Sequence, residues 1–152
     1  MESVPLGTEP SLAEYLHRQL SYLEQEVNIL KRDAKRPKIY TDSYTMDVVL
    51  VDADPGIGTF RIDNANWALA TNLYFDDLSS SGSDALGRLR TLRKNDEIFL
   101  QDTITPANTA TYRLSANATL AAGYFKTSVT VVATTGAKPG VITNFVLKFT
   151  QY

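Results

Sequence analysis

The chain has no cysteine, one histidine and one tryptophan among its 152 residues. Without cysteine it can form no disulfide, carry no thiol nucleophile and hold no zinc through thiolates. With a single histidine, His17, in the charged helical stretch, we expect neither a Ser-His-Asp triad nor a histidine-based metal site. We therefore expect a non-enzymatic protein with no catalytic residues, no cofactor and no metal centre.

Long apolar runs and a strong net charge are also lacking. Lys and Arg number 15 against 17 Asp and Glu, a formal net charge of -2, so general attraction to nucleic acid is not expected. No apolar stretch approaches the roughly 20 residues of a membrane-spanning helix. Residues 1–7 lack the charged-then-apolar pattern of a secretory signal. The expectation is a protein made in a cytosol that binds neither nucleic acid nor membrane.

Residues 11–33 carry a heptad pattern typical of a coiled coil. Ser11 and Glu14 fit a capping box at its start, and Pro37 is expected to stop it. Because a charged helix of this length is marginal alone in water, its apolar seam needs cover. Copies of the same helix, or docking on the same chain or on a partner, can provide that cover. The a and d positions, alternately three and four residues apart, are Ala13, Leu16, Leu20, Leu23, Val27 and Leu30.

Composition along the chain predicts four segments. Residues 1–10 are interpreted as a flexible arm, 11–33 as the coiled-coil or docking helix, 34–44 as a linker and 45–152 as a β-rich domain. From residue 103 onward there is no acidic residue and there are many threonines. Strands of this composition suit packing of sheet against sheet, or contact with a neighbouring subunit.

The β-rich domain is expected to be a compact antiparallel barrel or sandwich carrying one short inserted helix. Ser83 or Asp84 can cap that helix, which is expected to run to Leu92. The first two strands are expected to form a hairpin across the turn at 54–58, and the strand order hints at an OB-like barrel. The expected strands are 46–51, 59–62, 67–75, 97–101, 109–114, 124–133 and 141–150.

Three groups of side chains are candidates for binding. Oxygen-bearing residues at 77–84 mimic the opening of a calcium loop, but Arg88 stands where a bidentate Glu belongs, so calcium binding is left open. The basic cluster at 88–94 is interpreted as a solvated helix face. Trp67, Tyr74 and Tyr124, with Tyr112, can form a sugar-stacking or interface surface, although large aromatics in strands are more often core residues.

Four stretches of the β-rich domain, 56–66, 68–77, 95–102 and 123–132, together resemble a small β-domain of structural proteins in tailed bacteriophages and prophages. Such domains often follow a short N-terminal helix like Leu12–Leu16. The resemblance implies a virion protein made in the host cytoplasm: a fibre, a neck or tail appendage, or a capsid decoration. It implies a homo-oligomer, expected to be a trimer, in contact with other virion proteins.

Three alternatives stay open at this point. One is a carbohydrate-binding module that attaches the particle to a glycan on the host surface. A small hydrolase is opposed by the missing cysteine and the single histidine. Binding of single-stranded nucleic acid through an OB-like face is opposed by the net charge.

Overall fold

The computed structural model describes residues 11–34, 37–80, 82 and 85–152. The chain divides after residue 36 into two compact units. The first unit contains one long helix, α1 (Leu12–Ala34), and the second contains the β-structure.

Helix α1 begins where the sequence predicts. The backbone N–H of Glu14 donates to Ser11 Oγ at 3.1 Å, and the N–H of Tyr15 donates to the Ser11 carbonyl at 2.9 Å. The Ser11 hydroxyl therefore caps one backbone donor that a helix start leaves free, and its carbonyl accepts the first hydrogen bond of the helix. Lys31 and Arg32 lie in the last turn, where positive charge complements the helix dipole. The prediction of a helix over residues 11–33 is confirmed.

In the second unit, the described residues form a closed barrel of seven strands, with one short extra strand at its edge. Strand β3 pairs with both β2 and β7, and this second pairing closes the ring; β6 pairs with β7 outside it. A 3-10 turn (Trp67–Leu69) precedes β3, and a short helix α2 (Leu86–Leu89) lies between β3 and β4. The ring order is β3-β2-β1-β8-β4-β5-β7, and the strands are β1 (Lys38–Asp47), β2 (Thr59–Ile62), β3 (Asn72–Asp76), β4 (Glu97–Asp102), β5 (Thr109–Leu114), β6 (Thr119–Leu120), β7 (Tyr124–Thr135) and β8 (Thr143–Gln151).

The barrel interior is filled by aromatic and aliphatic side chains from alternating strand positions. Phe145, Leu147 and Phe149 of β8 are buried, and the residues between them are more exposed, as the period of two predicts. The Phe60 ring stacks on Phe75 with centroids 5.8 Å apart and meets Phe145 edge-on at 5.5 Å. Burying each such ring contributes about 1.5–3 kcal/mol. The prediction of a mainly β barrel with an N-terminal helix and a short inserted helix is confirmed.

The predicted linker and first hairpin are wrong. Strand β1 begins at Lys38, inside the segment 34–44, and ends at Asp47. It runs parallel to β2, with Thr45 opposite Thr59, so residues 48–58 form a crossover connection from the end of β1 to the start of β2 and not a hairpin turn. The inward face of β1 is hard to recognise in the sequence, because the carboxylate of Asp42 at a buried position interrupts the apolar alternation. The hint of an OB barrel also fails, since that fold has five strands and this ring has seven.

The third strand and the inserted helix are shorter than predicted. Residues 67–69 form a 3-10 turn because Asn66 Oδ1 accepts the N–H of Ala68 at 3.0 Å. Strand β3 therefore starts at Asn72. Helix α2 covers only Leu86–Leu89, and the predicted caps Ser83 and Asp84 lie outside the described residues.

Candidate interaction surfaces

The apolar seam of α1 is exposed in the single chain. The five side chains assigned to oligomerisation or docking range from 46% exposure at Val27 to 68% at Leu30, with Leu16, Leu20 and Leu23 between them. Covering such a side chain contributes up to about 1.5–3 kcal/mol. Burial of the seam against a partner helix or groove would therefore be strongly favourable.

A second apolar stripe runs along α1. Tyr15, Tyr22 and Ile29 are seven residues apart and are also exposed. They occupy c positions, two residues after each a residue, so they lie outside a two-stranded contact. The apolar face of α1 is therefore wider than a minimal coiled-coil seam.

The aromatic residues predicted to bind a ligand are buried: Trp67 lies in the core cluster, and Tyr74 and Tyr124 lie outside it. Trp67 is 2% exposed, Tyr74 4% and Tyr124 8%. Tyr112 Oη donates to the Trp67 carbonyl at 2.8 Å, which fixes the 3-10 turn onto the barrel. None of these rings offers a face for stacking a sugar, so the ligand interpretation is wrong. Periodicity in a strand does not separate an inward aromatic from an outward one until the register is known.

Tyr124 belongs to a polar tie between β7 and the connection 48–58. Its Oη donates to Asp52 Oδ1 at 2.6 Å, and Lys126 Nζ donates to Asp52 Oδ2 at 2.5 Å. The hydrogen bond to Asp52 raises the pKa of Tyr124, and the hydrogen bond from Lys126 lowers the pKa of Asp52. This cluster holds a loop in place.

Two of the four cations in the basic cluster at 88–94 are engaged within the chain. Arg88 Nη2 pairs with Asp42 Oδ1 at 2.5 Å, and Arg93 Nη1 donates to the carbonyls of Arg90 and Leu92. Arg88 is one-third exposed and Asp42 is buried. With Arg88 and Arg93 so engaged, the cluster does not present all four of its cations to a phosphate.

The predicted calcium loop can be placed only in part, because Ser81 and Asp84 lie outside the described residues. Ser79 is buried, and the Asp77 carbonyl accepts the N–H of Ala85 at 2.9 Å. In the described part of the chain, no three acidic or histidine side chains lie close enough together to hold a metal ion. No described helix is long and apolar enough to cross a bilayer.

The two ends of the barrel differ in chemistry. At one end β1, β2, β4 and β7 finish and β3, β5 and β8 begin, as the pairs Met46–Thr143, Asp102–Phe145 and Thr109–Thr135 show. Large apolar side chains of its connecting loops are exposed, from 38% at Val48 to 77% at Ile104. We call this group the apolar end surface: Val48, Val49, Leu50, Val51, Leu69, Ile104, Val141 and Ile142.

Two of the loops that carry this surface lie against each other. Val48 and Leu50 on one side and Lys138 to Gly140 on the other line a cleft of about 230 Å³, with Ala65 at its edge. The 103–108 loop is joined to the start of β8, since Thr103 N–H donates to the Asn144 carbonyl at 3.0 Å. The loops that carry Val48 to Val51, Ile104, Val141 and Ile142 are therefore joined to one another at this end.

The sequence interpretation missed this surface because it treated residues 46–51 as a strand. A signal was present in the sequence. Val48 to Val51 are four consecutive apolar residues without alternation, whereas a half-buried strand alternates. Exposed runs of this kind mark contact sites in folded proteins.

Comparison of the chain with protein-family models, curated proteins and solved structures gives no significant match.

Proposed function

We propose that the chain is a non-enzymatic structural component of a tailed-phage particle, a homotrimeric fibre or appendage that assembles or attaches through α1. The observation that carries this proposal is the exposed heptad seam of α1. A sustained a and d pattern whose members are all exposed in the single chain is typical of a helix that associates with copies of itself.

Charge placement favours parallel association. With Leu20 and Val27 at a, Glu26 occupies a g position and Lys31 the following e position. These positions face each other across a parallel interface, where opposite charges attract. The number three and the place in a virion rest on the resemblance of the barrel sequence to phage structural domains.

The virion assignment is tested on particles purified from the phage that encodes the chain. Mass spectrometry of washed particles should detect the protein at a fixed number of copies, and an antibody against it should label one part of the particle. A Leu20→Asp/Leu23→Asp variant should be lost from the particle. Its absence from purified virions, with the protein abundant in the lysate, would contradict the assignment.

A matched control separates the seam from helix stability. Gln25 and Asn28 are exposed polar residues of the same helix outside the a and d positions. Gln25→Asp/Asn28→Asp introduces the same two charges at f and b positions and should leave incorporation unchanged.

A further inference from the structure

We propose that the apolar end surface binds the same surface of a second copy of this chain. This contact is independent of the α1 seam and goes beyond the proposed function, because it gives the barrel its own role in assembly. It would join assembled units end to end through their barrels.

The exposed area is of the order that a dimer contact requires. The eight residues are between 38% and 77% exposed. Their exposed parts total on the order of several hundred Å², and an interface of standard size takes about 800 Å² from each partner.

Two carboxylates that flank the Val48–Val51 run form ion pairs within the chain. Asp47 Oδ2 accepts from Arg61 Nε at 2.8 Å. Asp52 is held by Tyr124 and Lys126. These two carboxylates therefore add little like-charge repulsion between two copies that face each other.

The lysine of this end is turned inward. Lys138 Nζ donates to the carbonyls of Asn64 at 3.0 Å and Ile62 at 3.5 Å. It secures the 136–142 loop to the connection that follows β2. Its charge is thus directed at the chain's own backbone and not at an approaching surface.

The loops that carry the surface are held in place before contact. Arg61 bonds both Asp47 and the carbonyl of Ala53, and it thereby fixes both sides of the Val48–Val51 run. A surface that is already ordered loses little conformational entropy on association. The cleft between the two loops is of a size to receive an apolar side chain from the other copy, and Ile104 is the most exposed candidate.

A second copy is favoured over an unlike partner because the eight residues of this surface are all apolar, and such a surface is complementary to itself. In a twofold contact each residue meets its counterpart region, so no separate complementary patch is needed. The opposite end of the barrel contrasts with it, since its connections carry Arg88, Arg90, Arg93 and Lys94.

The test is the mass in solution of the full chain carrying Leu20→Asp/Leu23→Asp, measured by light scattering at tens of micromolar. With the α1 seam disabled, the apolar end surface should still hold two chains together. Adding Val51→Asp/Ile142→Asp should raise the dissociation constant at least about 100-fold, because a twofold contact carries each new charge twice. Circular dichroism and Trp67 emission verify that each variant is folded.

Ile39→Asp/Leu120→Asp is the matched control, because both residues are 59% exposed and lie outside the surface. It should leave the dimer intact. A seam variant that is monomeric without any change at the barrel end overturns the proposal, and so does a dimer that survives Val51→Asp/Ile142→Asp. If wild type and seam variant are both dimers, the α1 proposal fails while this one stands.

Discussion

Arg88 of helix α2 and Asp42 of strand β1 form an ion pair with 2.5 Å between Nη2 and Oδ1, across 46 positions of sequence. The second carboxylate oxygen of Asp42 and Nε of Arg88 are buried without hydrogen-bond partners among the described residues. Burial raises the pKa of Asp42, and the Arg88 charge opposes that rise. The pair fixes α2 on the barrel. Burial destabilises the Asp42 carboxylate, and the charge of Arg88 offsets part of that cost.

Removing one partner of this pair is expected to be costly. Arg88→Ala should lower the free energy of unfolding by about 2 kcal/mol, since it leaves a buried carboxylate without its cation. The double variant Asp42→Asn/Arg88→Met should recover most of that loss. Urea unfolding followed by Trp67 emission measures both. Equal stability of the single variant and the wild type would show that the pair is dispensable.

Asp63 is expected to make a contribution to the free energy of unfolding that is lost in acid. Burial alone would raise its pKa, but hydrogen bonds from the Thr71 O–H and N–H and from Asn72 lower it below the usual 3.8. Its contribution is therefore present above about pH 3.8 and is lost as the pH falls through the lowered folded pKa. Asp63→Asn should flatten the fall in stability in that acid range.

Asp42 is expected to change the pH dependence of the unfolding free energy in the opposite direction. Its raised folded pKa means that its contribution is greatest below the unfolded pKa near 3.8 and decreases as the pH rises through the folded pKa. Asp42→Asn should therefore make the acid loss steeper. Unfolding free energies measured every half unit from pH 3 to pH 6 compare the two variants, and identical pH slopes would contradict both assignments.

Tyr112 stabilises the turn at Trp67 through one buried hydrogen bond. Tyr112→Phe should cost about 1–2 kcal/mol, because the Trp67 carbonyl then loses its donor in the core. Tyr22→Phe changes the same group on the exposed face of α1 and should cost less than about 0.5 kcal/mol. Thermal unfolding of the two variants gives the difference.

Gly58 holds the connection 48–58 against Ser80. Its φ is +69°, and an added Cβ would lie 2.7 Å from the Ser80 Cα, so Gly58→Ala should lose at least about 2 kcal/mol. Gly87, in α2, has nothing within 4 Å of an added Cβ. Gly87→Ala should be neutral or stabilise by about 0.5–1 kcal/mol. Denaturant midpoints measure both, and a stable Gly58→Ala would show that this approach is not tight.

Local patterns predict α1 and β8, because a capped heptad helix and a strict period of two need no knowledge of distant contacts. The parallel pairing of β1 with β2 could not be predicted from a chain in which Asp42 occupies an inward position opposite a distant Arg88. The position of Trp67 could not be predicted either, because its turn is fixed by a hydrogen bond from the distant Tyr112. The α1 seam is visible in the sequence, whereas the apolar end surface emerges only when four loops are brought to one end of the barrel.

The most direct test of assembly through α1 is the mass of the full chain by sedimentation in the Val51→Asp/Ile142→Asp background, where barrel contacts are disabled. Assembly through α1 predicts a particle of three chains, three times 16.8 kDa. Adding Leu20→Asp/Leu23→Asp should give single chains, and adding Gln25→Asp/Asn28→Asp should leave three. Single chains before any change to the seam, or three chains after it, would contradict assembly through α1.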